Sequence, residues 1–222
     1  MNPYEHAHRL PEGDAVDVTA LVRGEWRELE VGPGRGGFAF ERLEAAPSMG
    51  LLGLEIRRKW ASIVDARLQA CGYAERARVF ANDAREALAR LVPDGCFRVV
   101  FLHFPDPWWK RRHQKRLVVG DGFLDQVARL LEPGGDLFVQ TDVPERAQAY
   151  EAQLLADGRF ETAGDFPESA RLAENPYGAR SPRERRALAD GLPVFRLRVR
   201  RVDVPTGLEH RDGDAKTPPW PL

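Results

Sequence analysis

The sequence predicts an α/β fold: a doubly wound, mostly parallel, seven-stranded sheet with an antiparallel strand near the C-terminus. Three observations carry this. From Trp26 onward, short apolar runs alternate with stretches of helical spacing, so that strand, turn and helix recur in order. The first run ends in a glycine-rich turn, Gly32-Pro33-Gly34-Arg35-Gly36-Gly37, directly before the apolar Phe38-Ala39-Phe40. Near the end, Phe195, Leu197 and Val199 alternate strictly with Arg196, Arg198 and Arg200. That period of two marks a half-exposed, typically antiparallel strand.

Residues 1–24 contain Pro3, Pro11 and Gly13 and show little periodicity, so they are expected to form an N-terminal arm packed on the main domain. Within the arm, Thr19 to Val22 reads as a short strand or turn. The main domain covers residues 25–203. Strand one ends at Val31 and its helix spans Gly37 to Ala45. Gly50 to Glu55 is a nearly unbroken apolar run, as expected of a central parallel strand. The next helix places Trp60, Ile63, Val64, Leu68 and Cys71 on one apolar face and stops at Gly72, which makes Cys71 a buried thiol. Arg78 to Phe80 is strand three, and Asn82-Asp83 caps a helix over Ala84 to Leu91. Phe97 to Phe104 is strand four, broken by Pro105. Asp121 caps a helix with Phe123, Val127, Leu130 and Leu131 on one face, closed by Pro133-Gly134-Gly135. Asp136 to Thr141 is strand five, Pro144 opens a helix that ends at Gly158, and Phe160 to Ala163 is a weak sixth strand. Residues 204–222 are polar and contain proline, which reads as a tail.

A chain of 222 residues accommodates one domain with a substantial core. Its formal net charge of −1 gives no global signal for nucleic acid, so any basic patch is local. The two cysteines, Cys71 and Cys96, show neither metal spacing nor a disulfide framework. No His/Cys/Asp cluster suggests a metal, and His103 is expected to pack beside Phe104. No apolar run approaches a membrane span, and no secretory core is visible, so a cytoplasmic protein is expected. The residues leave a monomer and a homodimer both open.

The glycine turn fits two templates. Gly32, Gly34 and Gly37 satisfy the dinucleotide fingerprint. Gly32, Gly34 and Gly36, preceded by Glu30, fit the first motif of S-adenosyl-L-methionine-dependent methyltransferases. The acid favours the second. A carboxylate before the turn repels a pyrophosphate but accepts hydrogen bonds from the cationic amino end of the methyl donor. Glu55, 21 positions after Gly34, suits a ribose in either cofactor. Asp83 at the end of strand three is placed either to meet an adenine amino group or to cap the following helix. Such a succession of strand-end acids is more than a dinucleotide enzyme needs.

The segment Phe104-Pro105-Asp106-Pro107-Trp108-Trp109 is followed by Lys110, Arg111, Arg112, Lys115 and Arg116. Two prolines hold Asp106 extended at the strand end. Tryptophans interleaved with cations suit a base lying flat beside a phosphate backbone. Taken separately, the cations read as a solvated loop and the tryptophans as core, but together at the cofactor end of the sheet they favour binding. With Arg112-His113 and Lys115-Arg116, this segment resembles the signature of the bacterial tRNA (guanine-N7-)-methyltransferases. The likeness extends from about Leu29 to Val202 and takes in Gly53-Leu54-Glu55, Asn82-Asp83-Ala84 and Gln140-Thr141-Asp142. It implies the class I, Rossmann-like methyltransferase fold and methyl transfer to guanine N7 in tRNA, at the variable-loop position 46. By the same likeness Glu30, Gly32, Gly34, Glu55, Asp83 and Asp106 contact the cofactor, with Asp106 also catalytic. Lys110 and Asp142 contact substrate, as do Ser181, Arg183 and Glu184, which match the family's C-terminal Thr-Lys-Phe-Glu motif. Pro182 departs from that motif, and Val143 and Pro144 stand where an aromatic and then an acidic residue are usual.

Guanine N7 carries a free lone pair and loses no proton on methylation, so alignment and electrostatics suffice. Carboxylates suit the site because they accept from guanine N1–H and the N2 amino group, and Asp106, Asp142 and Glu184 are the candidates. Three other classes compete. An RNA-binding module without catalysis would not bind the cofactor, a nicotinamide oxidoreductase would lack the Asp106 to Arg116 constellation, and a small-molecule methyltransferase would not need its five cations.

Overall fold

The computed structural model describes Tyr4 and residues 7–105 and 121–202. The first elements are short. β1 (Val16–Asp17) leads into α1 (Val18–Leu21), where the Asp17 carboxylate accepts from the Thr19 backbone N–H and caps the turn. Leu10, Val16, Val18 and Val22 are buried in the principal core, so this part of the arm packs on the main body. The segment expected as a strand or turn is a helical turn.

The main body follows as β2 (Trp26–Val31), α2 (Gly37–Ala45), β3 (Met49–Leu54), α3 (Arg58–Ala70), β4 (Ala77–Phe80) and α4 (Ala84–Ala87). After one turn of 3₁₀ helix come β5 (Leu91–Val92), β6 (Phe97–His103), α5 (Asp121–Leu130), β7 (Leu131–Thr141) and α6 (Pro144–Ala156). β8 (Phe160–Thr162), β9 (Arg171–Leu172), α7 (Pro182–Ala189) and β10 (Phe195–Arg201) complete the order. The large sheet runs β4-β3-β2-β6-β7-β10-β8, with β9 hydrogen-bonded to β10 off that path. β4 through β7 are parallel, and β10 is antiparallel to β7, β8 and β9. A mostly parallel path of seven strands with an antiparallel strand near the C-terminus is as expected, and β9 adds an eighth strand.

The two faces of the sheet differ. Leu29, Leu54, Val100, Leu102, Val139 and Leu197 form an apolar face covered by α5 and α6 through Phe123, Val127, Tyr150 and Leu154. On the other face, α2 and α3 cover β3 and β4, while Phe38, Phe101 and Phe138 form an aromatic cluster with Tyr177. Ring centroids there lie 4.7 Å (Phe38–Phe101), 4.8 Å (Phe101–Tyr177) and 5.0 Å (Phe138–Tyr177) apart, the tilted contacts that add about 0.5–1.5 kcal/mol beyond area.

Four local expectations are corrected. Cys71 is exposed, because α3 ends at Ala70 and Cys71 serves as its cap. The helix after Asp83 stops at Ala87, since Leu91–Val92 is drawn into pairing with β1. Strand five begins at Leu131, with Pro133-Gly134-Gly135 accommodated as an irregularity opposite Phe97 and Val99. Arg196 is buried, as the face of β10 that carries it is covered by α7.

Candidate active site

The carboxyl ends of β2, β3, β4, β6 and β7 lie along one edge of the sheet, and the expected site residues follow them. After Val31 the chain turns through Gly32, Gly34 and Gly36, with φ of 74°, 55° and 76°. L side chains rarely adopt this region, which is why glycine recurs. A Cβ on Gly32 or Gly34 would meet nothing within 4 Å among the described residues apart from its chain neighbours, so the turn presents open backbone to a ligand. Gly37 is glycine for a different reason. A Cβ there would meet Pro182 Cγ at 2.5 Å, so the N-terminus of α7 rests directly on the start of α2. Ser181, Pro182 and Arg183 are thereby brought to the glycine turn from the far end of the sequence.

Glu30, at the end of β2, is 2% exposed. Its Oε1 lies 3.2 Å from His103 Nδ1, and its Oε2 has no partner among the described residues. A buried carboxylate oxygen without a donor is costly, and a cationic group from a ligand is what satisfies it. Glu55 is held differently: Oε2 accepts from the Gly34 N–H at 2.8 Å and Oε1 from the Arg57 N–H at 2.8 Å. It fixes the turn and retains lone pairs for further donors. Asp83 caps α4 through the Arg85 N–H. The Arg85 side chain donating to it, with that N–H, holds the Asp83 carboxyl below its usual range. The open glycine backbone, the unpaired Glu30 oxygen and Glu55 beside the turn together fit the cationic amino acid and nucleoside of S-adenosyl-L-methionine.

Asp142, just after β7, accepts from Arg183 Nε at 2.9 Å and also from Arg183 Nη2, so two expected substrate residues form one ion pair. Ser181 caps α7 by accepting from the Glu184 N–H at 3.1 Å. Glu184 is fully buried. Its Oε1 accepts from Arg196 Nε at 3.0 Å and Nη2 at 2.9 Å, and its Oε2 from Asn175 Nδ2 at 3.0 Å. The structure therefore brings Ser181, Arg183 and Asp142 to the site edge and sets Glu184 inward, clamping α7 to the sheet. Asp106, Lys110 and the following cations lie outside the described residues. At the last described step towards them, Phe104 has φ 47° and its N–H donates to the Gln140 carbonyl at 2.8 Å. A non-glycine residue in that region stores about 1–3 kcal/mol of strain.

His103, Gln140 and Arg196 have polar surroundings that their local sequence does not announce. His103 packs against Phe38 and Phe101, where packing beside Phe104 was expected, and it also touches Glu30. His103 and Arg196 act through partners 73 and 12 positions away, respectively, with no local signal for either pairing. Among the described residues no group of His, Cys, Asp or Glu is placed to hold a metal ion. No described helix is long and apolar enough to cross a membrane.

This architecture recurs in solved structures. The 16S rRNA methyltransferase KamB superposes with a TM-score of 0.57 at 18% identity, covering 81% of this chain and 89% of that one. The 16S rRNA (adenine(1408)-N(1))-methyltransferase from Catenulisporales acidiphilia, determined with its cosubstrate, gives 0.56 at 18% identity, covering 86% and 92%. The fold is that of the class I S-adenosyl-L-methionine-dependent methyltransferases. Residues 26–197 match the family described as "Putative methyltransferase". A tRNA (guanine-N(7)-)-methyltransferase of Anaeromyxobacter dehalogenans is 41% identical over 200 residues, covering 85% of this chain and 96% of the relative. Another, from Myxococcus xanthus, is 36% identical over 172 residues, covering 78% and 82%. The chain belongs to the tRNA (guanine-N(7)-)-methyltransferase family.

Proposed function

We propose that this protein transfers a methyl group from S-adenosyl-L-methionine to N7 of a guanine in tRNA, at position 46 of the variable loop. The observation that carries it is Glu30: a buried carboxylate with one unpaired oxygen beside an open glycine turn, in a chain of this family. Residues 25–203 are read as the methyltransferase domain, with 1–24 an arm and 204–222 a tail, in a cytoplasmic protein.

The cofactor supplies an electrophilic methyl group on a positively charged sulfur. Glu30 is assigned to its ammonium, Gly32 and Gly34 to close backbone approach, Glu55 to the ribose hydroxyls and Asp83 to the adenine amino group. Guanine N7 loses no proton, so the chain provides no general base for it. What the chain provides is alignment, together with carboxylates that stabilise positive charge as it reaches the ring. Asp106, between Pro105 and Pro107 in the sequence, is assigned to orient the guanine through its N1–H and N2 donors. Adenine carries an acceptor at N1, so an acceptor carboxylate discriminates against it. Lys110, Asp142, Ser181, Arg183 and Glu184 are assigned to the substrate side, where Glu184 acts by holding α7 and the Asp142–Arg183 pair offers both charges to RNA.

The direct test is incubation with labelled cofactor and unmodified tRNA, followed by mapping of the methylated nucleoside. Label on N7 of the variable-loop guanine is expected, and label on another base or no label on tRNA would overturn the reading. Asp106→Asn should slow single-turnover methylation about ten- to over a hundredfold, the loss of one charged hydrogen bond worth roughly 1.5–3 kcal/mol. Full activity in Asp106→Ala would remove that residue from the mechanism.

A further inference from the structure

The polar atoms that this fold buries without a partner are concentrated in one place. Among the described residues they are Glu30 Oε2, His103 Nε2 and both ends of the Gln140 side-chain amide. The three residues stand at the carboxyl ends of adjacent strands β2, β6 and β7. Gln140 is the register partner of His103, and Glu30 that of Phe101, two positions before His103, so all three face the same side of the sheet. Their side chains are almost fully enclosed, His103 at 4% exposure and Gln140 at 0%. Each unsatisfied buried polar atom costs stability, so a cluster of four points to a ligand-binding role.

Of these three residues, His103 links the carboxylate to the aromatic cluster. Its Nδ1 stands 3.2 Å from Glu30 Oε1, and in the tautomer with its hydrogen on Nδ1 the imidazole donates to that carboxylate oxygen. Phe38, with its centroid 4.3 Å away, and Phe101, stacked at 5.5 Å, prevent the imidazole from pivoting. One carboxylate oxygen is thereby pinned and the other is left without a protein donor.

Resting on the reading of Glu30 as the receiver of the cofactor's ammonium, we propose that His103 is the positioning residue for that contact. By holding Oε1, it fixes the orientation in which Oε2 meets the amino-acid end of the cofactor. The rigid pair selects ligands that carry this end over ligands that carry only the nucleoside. Gln140 brings an amide that both donates and accepts beside the imidazole, and it belongs to the same polar cluster.

The test is calorimetry on the full chain with two probes: S-adenosylhomocysteine, and 5′-methylthioadenosine, which lacks the amino-acid end. The wild-type protein should prefer S-adenosylhomocysteine. His103→Phe keeps a ring among Phe38, Phe101 and Phe138 but has no N–H, so S-adenosylhomocysteine should bind about tenfold more weakly. Its affinity for 5′-methylthioadenosine should stay within about twofold, because no charged hydrogen bond to that ligand is removed. His103→Asn restores an N–H near the place of Nδ1 and should restore the preference. Equal weakening of both ligands in the Phe variant would mean a general structural role and overturn the proposal. So would loss of the preference in the Asn variant, which decides the matter alone if the Phe variant does not fold. Wild-type protein that binds neither probe would overturn the methyltransferase reading itself, whereas normal wild-type binding without a selective loss in the variants overturns only the role of His103.

Discussion

Glu28 and Glu30 stand two residues apart on β2, face the same side of the sheet and are both buried, yet they are satisfied in opposite ways. Glu28 accepts from Arg42 Nε at 2.8 Å and Nη2 at 2.6 Å, with Trp26 Nε1 at 3.3 Å. Around it, Asp136 accepts from Arg200 Nε at 3.0 Å and from the Tyr177 hydroxyl at 3.3 Å. Glu30, nearer the carboxyl edge, has one histidine contact and one unpaired oxygen. The difference separates polar groups that hold the fold from polar groups kept for a ligand. In the first region each charge is closed upon another charge of the chain, and in the second the closure is left for something else to make.

The comparison can be broken first at Glu28. Glu28→Leu leaves the Arg42 guanidinium, which is only 13% exposed, with the Tyr177 carbonyl but without the Glu28 carboxylate, and should cost about 3–5 kcal/mol in urea unfolding. Replacing Arg42 by Met as well should recover much of that loss, because the cost lies in the unpaired charge. Glu30→Gln should behave in the opposite sense. S-adenosylhomocysteine affinity should fall about tenfold, with the melting temperature unchanged or raised, since a buried carboxylate with one unsatisfied oxygen gives way to a neutral amide. A large stability loss at Glu30 would place it with Glu28 and erase the distinction.

A pH titration sharpens the same contrast. Burial, reinforced by the neighbouring Asp136 carboxylate, raises the Tyr177 phenol above its ordinary value. The unfolded chain loses this proton near pH 10 while the folded one retains it, so its contribution is complete below about pH 10 and is lost as pH rises further. Stability should decline there by up to about 1.4 kcal/mol per pH unit, an increment that Tyr177→Phe removes. Urea titrations of both proteins between pH 9 and 11 measure it, and identical slopes would deny the phenol this role. The smallest effect is expected at Gln140. Gln140→Met exchanges an unsatisfied amide for an apolar chain of similar length, and the melting temperature should hold or rise slightly. A drop of several degrees would show that the amide is satisfied within the fold.

Much of this was legible in the sequence. The boundaries of α2 emerge directly from the glycines and the apolar residues after them, and the strand-end acids follow from knowing where the strands stop. What local pattern could not convey is what lies across the sheet. The period of two in Phe195–Arg201 correctly puts Arg196, Arg198 and Arg200 on one side, but periodicity identifies a face without saying what covers it. Arg196 is buried because Glu184 needs a partner there. The helix after Asp83 gives way at Leu88 because β5 answers to β1, some 75 positions earlier, and Leu91 cannot both continue a helix and pair with Val16. Likewise, Ser181 and Arg183 were recognisable by motif, whereas the seating of Pro182 on Gly37 required the three-dimensional arrangement.

The placement of β10 bears on how the protein is made. This strand inserts between β7 and β8, both of which precede it in the chain. While the ribosome is still translating the segment before Phe195, β7 and β8 have no shared neighbour, and the backbone groups destined for β10 are open to pairing with another nascent chain. Glu184 meanwhile has no Arg196, so the helix bearing Arg183 lacks its buried anchor. The half-sheet from β4 to β7, with Glu30, His103 and Gln140, has its parallel partners already, but the side beyond β7, where α7 carries Arg183, is completed only afterwards. Messages truncated before codon 195 should therefore yield protein that is aggregation-prone as well as inactive, and codons slow to translate just upstream would lengthen the exposure of that open seam.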